Sequence, residues 1–247
     1  MNLDRIFLSE SHPCGKELRY VQHALEAKAI TSGGNVVRDF EEDLECYLGN
    51  NVIVNATNSG TSAIHLGLLL LGVKPGDEVI CQSMTFSASV NPILYIGASP
   101  VFVDSELDTW NMCPIALEEA IQDRISKGKK PKCIIVVDLY GMPYHADRIN
   151  EVANKYGIAV LEDSAEALGS RYKGVPCGTL GDIGVFSFNG NKIITTSSGG
   201  ALLLSDASQK ERAAFLATQA RDAAPYYQHS EIGYNYAMSS IAAAVGR

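Results

Sequence analysis

Apolar residues along this chain arrive in two rhythms. Short unbroken apolar runs of strand length alternate with longer segments in which apolar positions recur at helical spacing. Helices are predicted at residues 16–28 and 37–48, with a turn at Thr31-Ser32-Gly33-Gly34 between them. A β-branched strand is expected at 51–55. Ser59-Gly60-Thr61-Ser62 then opens a helix over 63–71, which Gly72 ends ahead of Pro75-Gly76-Asp77. From there strand and helix alternate: strand 78–81, helix 87–96, strand 100–103, helix 115–125, strand 133–137, helix 145–156, strand 159–162. Strands at 185–188 and 201–205 come next, followed by a helix at 209–220 and a loop rich in Tyr and Ala.

Apolar strands interleaved with helices predict an α/β fold, a mostly parallel mixed sheet sandwiched by helices. In such sheets ligands sit at the carboxyl ends of the strands. There is no internal repeat, and no linker is expected before about residue 206.

Polar residues at those strand ends are the candidate chemistry. Phe186-Ser187-Phe188 runs into the turn Asn189-Gly190-Asn191, which presents Lys192, and Gly199-Gly200 follow. A lysine with little bulk around it at a strand end reaches a cofactor carbonyl; the competing account is an ordinary surface lysine. Ser59-Gly60-Thr61-Ser62 sits where a helix N-terminus offers unpaired N–H groups to a phosphate, or is simply an N-cap. The strand through Leu161 ends on Glu162-Asp163, with Glu166 about one helical turn on. That pair either caps a turn or aims a carboxylate at a ring nitrogen, Asp163 being the better placed. Phe86, beyond the strand at 78–81, is core or a stacking surface.

Composition narrows the partners. The chain has 247 residues, 46% of them hydrophobic, and a net charge of −8. A soluble globular protein is expected. Its 20 Lys and Arg are spread along the chain with no basic stripe, which argues against nucleic acid. No segment has the length of a membrane span, and the start at residues 1–5 lacks the pattern of a secretion signal, so a cytoplasmic location is expected. The six cysteines include no C-x-x-C pair, and the five histidines lack metal-ligand spacing, so no metal site is expected.

The motifs occur in a telling order: Ser59-Gly60-Thr61-Ser62-Ala63-Ile64-His65-Leu66, Pro75-Gly76-Asp77-Glu78-Val79-Ile80, Thr85-Phe86-Ser87-Ala88-Ser89, Pro100-Val101-Phe102-Val103-Asp104, Asp138-Leu139-Tyr140-Gly141, Glu162-Asp163-Ser164-Ala165-Glu166 and Ser187-Phe188-Asn189-Gly190-Asn191-Lys192. Together they resemble the DegT/DnrJ/EryC1/StrS family, sugar aminotransferases of the type I pyridoxal-phosphate fold. The resemblance covers essentially the whole chain. It implies that residues 1–247 form the cofactor-binding large domain with an N-terminal helical segment, and that pyridoxal 5′-phosphate is the cofactor. It implies Lys192 as the Schiff-base lysine and proton shuttle, Asp163 as partner of the pyridinium nitrogen, and Glu166 near the cofactor 3-oxygen, where many members have Gln. Phe86 would stack on the ring. Gly60, Thr61, Ser62 and Ser187 would surround the phosphate, and Asn235 would reach the phosphate of the neighbouring subunit in a homodimer. The implied reaction converts a nucleotide-linked keto-sugar, with a lean toward UDP-linked 4-keto-6-deoxy sugars, to an amino-sugar with glutamate as donor, for cell-surface polysaccharide or glycan synthesis.

Three departures stand out. Ser197-Ser198-Gly199-Gly200 replaces the usual Gly-Glu-Gly-Gly, Ala237 follows Asn235-Tyr236 where Arg is usual, and the family's small C-terminal domain is expected to be absent from this chain. They motivate an alternative, a cofactor-binding or dimerising remnant without turnover. Dehydratases in the family carry His in place of Lys192, which favours transamination. A doubly wound nucleotide-binding protein is disfavoured, because neither G-x-G-x-x-G nor a P-loop lysine motif is present.

Overall fold

The computed structural model describes residues 9–49 and 51–247; the start at residues 1–5 lies outside the described residues. Helices α1 (Glu17–Glu26) and α2 (Asn35–Leu48) lead into β1 (Ile53–Thr57) and α3 (Gly60–Leu70). Then come β2 (Glu78–Gln82), α4 (Asn91–Tyr95), β3 (Ser99–Val103), α5 (Pro114–Ser126), β4 (Cys133–Val137), α6 (Ala146–Tyr156) and β5 (Ala159–Asp163). A small ribbon of β6 (Arg171–Tyr172) and β7 (Val175–Pro176) precedes β8 (Ile183–Ser187), β9 (Gly200–Leu204), α7 (Ala207–Ala217) and α8 (Ser240–Gly246).

The main sheet runs β1-β9-β8-β5-β4-β2-β3. Pairs β8–β5, β5–β4, β4–β2 and β2–β3 are parallel, and β9 is antiparallel to both β8 and β1. The expected α/β architecture with a mostly parallel mixed sheet is therefore present. Alternate residues of each strand face opposite layers. Cys81, Ile135, Leu161, Val185 and Leu202 pack with α3 and α7. On the other face Ile80, Ile134, Val136 and Val160 pack with α5 and α6, while Val54, Phe186 and Leu203 pack with α2 and α8. Burying each large side chain contributes about 1.5–3 kcal/mol. Helix α3 is buried on most of its circumference, as suits a helix enclosed by sheet and neighbouring helices.

Local chemistry explains where the observed elements depart from the sequence pattern. The predicted helix at 87–96 is a 3-10 turn, Ser87–Ser89, followed by α4, whose second residue is Pro92 and donates no N–H. β1 starts at Ile53 rather than 51 because Asn51 sits in a turn. α7 starts early, at Ala207, since Asp206 caps it by accepting from the Ser208 N–H. The predicted helix runs to 220, yet Gln219 and Ala220 are left-handed and end it. The β6–β7 ribbon turns through left-handed Lys173 and Gly174; it and α8 are too short to leave a hydrophobic period.

Candidate active site

Loops at the carboxyl ends of β2, β4, β5 and β8, together with the first turn of α3, line a cavity of about 850 Å³. Gly60, Thr61, Phe86, Asp163, Glu166, Ser187 and Lys192, scattered through the sequence, meet there.

Asp163 is the last residue of β5 and only 4% exposed. Its Oδ2 accepts from Ser89 Oγ at 2.6 Å and its Oδ1 from the Ala165 N–H at 3.2 Å. Thr85 Oγ1 lies 2.7 Å from Ser89 Oγ and completes a short hydroxyl chain. Burial drives the Asp163 carboxyl above its ordinary pKa; these hydrogen bonds and the Lys192 charge pull the other way. Its ionised form would be stabilised by a cation in the cavity beside it.

Lys192 is no ordinary surface lysine, its side chain being 13% exposed. The turn that carries it is fastened at its base. Phe188 N–H donates to Gly199 O and Thr196 N–H to Phe188 O, while Lys192 N–H closes the tip on Asn189 O. Lys192 Nζ lies 3.3 Å from Glu166 Oε1. The other Glu166 oxygen accepts from the Tyr140 backbone N–H at 2.9 Å. Tyr140 holds a left-handed φ of 52° in the turn after β4, which leaves its ring exposed at the cavity edge.

Across the cavity stands the N-terminus of α3. Ser59 Oγ caps it by accepting from Ser62 N–H at 3.1 Å. A side chain at Gly60 would place its Cβ 2.9 Å from Ser187 Cβ, so a glycine is what lets the helix end approach the end of β8. Gly200 is tighter still, since a Cβ there would collide with the Ser59 carbonyl carbon. The result is a cluster of N–H and hydroxyl donors suited to a phosphate. Phe86, 75% exposed, is a cavity wall rather than a core residue.

Two predicted residues do not line the cavity. Ser62 is buried behind it, its hydroxyl proton donated to Asn58 Oδ1 at 2.6 Å. Asn235 lies outside, its Oδ1 accepting from Gln219 Nε2 at 3.3 Å and its carbonyl from Asn58 Nδ2 at 2.9 Å. Ser89, Thr85 and Tyr140 line it without having been singled out, although each lies inside a quoted motif. Their roles depend on which hydroxyl or N–H meets a carboxylate, and residue type alone does not say that.

The donor set fits pyridoxal phosphate: an amine for the carbonyl, a buried carboxylate for the ring nitrogen, a glycine-permitted helix end for the phosphate, and an aromatic wall. Comparisons with known proteins agree. EpsN of Bacillus subtilis (strain 168) is 52% identical over 242 residues, 98% of this chain and 62% of EpsN. A GDP-perosamine synthase of Escherichia coli O157:H7 is 43% identical over 234 residues, 94% of this chain and 62% of that enzyme. The chain thus spans about 62% of the length of these relatives. The solved structure of Spr1654 from Streptococcus pneumoniae in its PLP form superposes with a TM-score of 0.88 at 31% identity, covering 98% of this chain and 65% of that one. A family model matches residues 14–247, and with it the order of motifs and the geometry of the cavity have one explanation: the chain belongs to the DegT/DnrJ/EryC1/StrS aminotransferase family.

Proposed function

We propose that this chain is the cofactor-binding large domain of a pyridoxal phosphate-dependent sugar aminotransferase acting on a nucleotide-linked keto-sugar, with glutamate as amino donor. The observation that carries this reading is the convergence of Lys192 and the buried Asp163 on one cavity, facing the α3 N-terminus. The similarity to a GDP-perosamine synthase supports a nucleotide-sugar substrate. A homodimer in which Asn235 approaches the partner's site belongs to the same reading.

When bound, pyridoxal phosphate supplies an electron sink for the pair left behind as a proton departs from the amino-bearing carbon. Asp163 keeps the ring nitrogen protonated. Lys192 Nζ would hold the cofactor carbonyl and, once freed by the incoming substrate amine, would be the base placed to move the proton between the reacting carbons. Glu166, anchored on the Tyr140 N–H, sets the position of Nζ. Gly60, Thr61 and Ser187 would hold the phosphate, and Phe86 and Tyr140 form an aromatic rim to the cavity.

Incubation with pyridoxal phosphate followed by borohydride reduction and peptide mapping tests the assignment. The label is expected on Lys192 and is lost in Lys192→Ala; a label retained at another lysine overturns it. Glutamate should then convert the bound cofactor to its amine form, and UDP- and GDP-linked 4-keto-6-deoxy sugars should compete as acceptors. Cofactor capture without either half-reaction would identify a binding module instead of an enzyme.

A further inference from the structure

Behind Asp163 lies a second set of acids that the proposed chemistry does not use. Asp138, just beyond β4, and Glu162 of β5 are both fully buried, as is Ser164 between them. Ser164 Oγ is 2.5 Å from Asp138 Oδ2 and 3.1 Å from Glu162 Oε1. A hydroxyl has one proton and can donate to one of these oxygens, not both. If both acids were ionised, one contact would set an oxygen lone pair against a buried anion. One carboxyl must therefore supply the missing proton.

Counting donors decides which. Glu162 already accepts three backbone N–H groups, from Gly178 at 2.7 Å, Leu180 at 2.7 Å and Gly181 at 3.0 Å, and both its oxygens are engaged. Such a cradle stabilises the anion. Asp138 accepts one N–H, that of Tyr144, at 3.2 Å.

We propose that Asp138 is a protonated carboxylic acid that donates to Ser164 Oγ, which donates to Glu162, and that through this chain Asp138 acts as a positioning residue for Asp163 and the Leu139-Tyr140 wall of the cavity. The linkage to the site is direct. The Asp138 N–H donates to the Asp163 carbonyl at 3.1 Å, extending the β4–β5 pairing past the end of β4. Leu139 and Tyr140 follow immediately and line the cavity.

Burial first, and then the Glu162 charge, drive the Asp138 carboxyl well above its usual pKa. The other titratable groups facing it are the Tyr144 phenol and the Cys177 thiol, both pushed up by burial and by these acids, so neither supplies a compensating charge. A carboxylate oxygen from each acid and the Cys177 sulfur could also surround a cation, but the Glu162 oxygens are already filled by protein donors, which favours a proton. The bearing on function rests on the reading given above; the proton itself does not.

The stability contributed by the protonated acid is full below the ordinary carboxylate pKa and declines as pH rises toward the elevated folded value. Infrared difference spectra between the wild-type chain and Asp138→Asn at neutral pH should contain a carboxylic-acid carbonyl band lost in the variant. Asn keeps a donor toward Ser164, so Asp138→Asn should flatten the decline of the unfolding midpoint between pH 6 and pH 9. Asp138→Ala should lower the midpoint by roughly 5–10 °C at every pH. It should also speed amide exchange at the end of β5 by about tenfold, with Asn restoring protection. Absence of the acid band, or an Asn variant as unstable and as fast-exchanging as the Ala variant, overturns the proposal. No arm contains pyridoxal phosphate, so its outcome is independent of the proposed function.

Discussion

At the scale of single residues, Asp163 sets stability against function. Without a cation beside it, its burial favours the protonated form, so the cofactor-free chain loses stability as pH rises above the ordinary carboxylate range. Asp163→Asn is expected to raise the cofactor-free unfolding free energy, and more at pH 8 than at pH 6. It should weaken pyridoxal phosphate binding by roughly 10–100-fold, for loss of a buried charge partner. Urea titrations at pH 6 and pH 8, with and without cofactor, measure both; a destabilised cofactor-free variant would contradict the first. Glu166→Gln should cost far less, because an amide oxygen still accepts from the Tyr140 N–H and only the charge toward Lys192 is lost. Equal losses in the two variants would mean that the division of labour is wrong. Asp163 was legible in the sequence because it ends an apolar strand within the ordered run of motifs that resembles the family. Ser89, which orients it, was not: a hydroxyl at 2.6 Å is a fact of three dimensions.

At the scale of elements, the α3 N-terminus and the β8 end form one unit. Gly60→Ala places a methyl group 2.9 Å from Ser187 Cβ. Overpacking of this kind costs about 1–3 kcal/mol, more than the gain of up to about 1 kcal/mol in helix propensity. The helix end should retreat, lowering the unfolding midpoint and weakening cofactor phosphate binding by about tenfold at the lower estimate. Inorganic phosphate competing equally well with cofactor in wild type and variant would show that the helix end does not hold the phosphate. The long regular elements were readable from periodicity, because buried strands such as β4 leave an unbroken apolar run. The split at Pro92, the β6–β7 ribbon and α8 were not, since pieces this short are specified by turn geometry and tertiary contact. Likewise, nothing in the sequence indicated that the Ser62 hydroxyl would be consumed by Asn58.

At the scale of the whole molecule, charge opposes ligand capture. The chain carries −8, and Lys192 is the one basic side chain among the described residues lining the cavity. Pyridoxal phosphate and the proposed substrates, glutamate and a nucleotide sugar, are all anions. Long-range repulsion is screened as the Debye length falls from about 30 Å at 0.01 M salt to about 8 Å at 0.15 M. The cofactor association rate, followed by stopped-flow absorbance, should therefore rise with ionic strength over that range. A fall would mean that the local field of the α3 end outweighs the net charge.

The position of β9 has a consequence for the order of events in folding. It lies between β1 and β8, hydrogen-bonded to both, yet it follows β1 by more than 140 residues in the chain. During synthesis β1 emerges early and has no neighbour within the sheet until β9 appears. Until β9 appears, β1 thus stands without its partner, and β8, completed shortly before β9, briefly adds a second open edge, each an invitation to wrong pairing or self-association. Closing that gap is a long-range step of high loop entropy, so it belongs late in folding. The same strand follows the Lys192 turn and seats Gly200 against Ser59. Chaperone demand should therefore be greatest while β9 is still inside the ribosome, and the binding cavity becomes complete only after that last strand slides home.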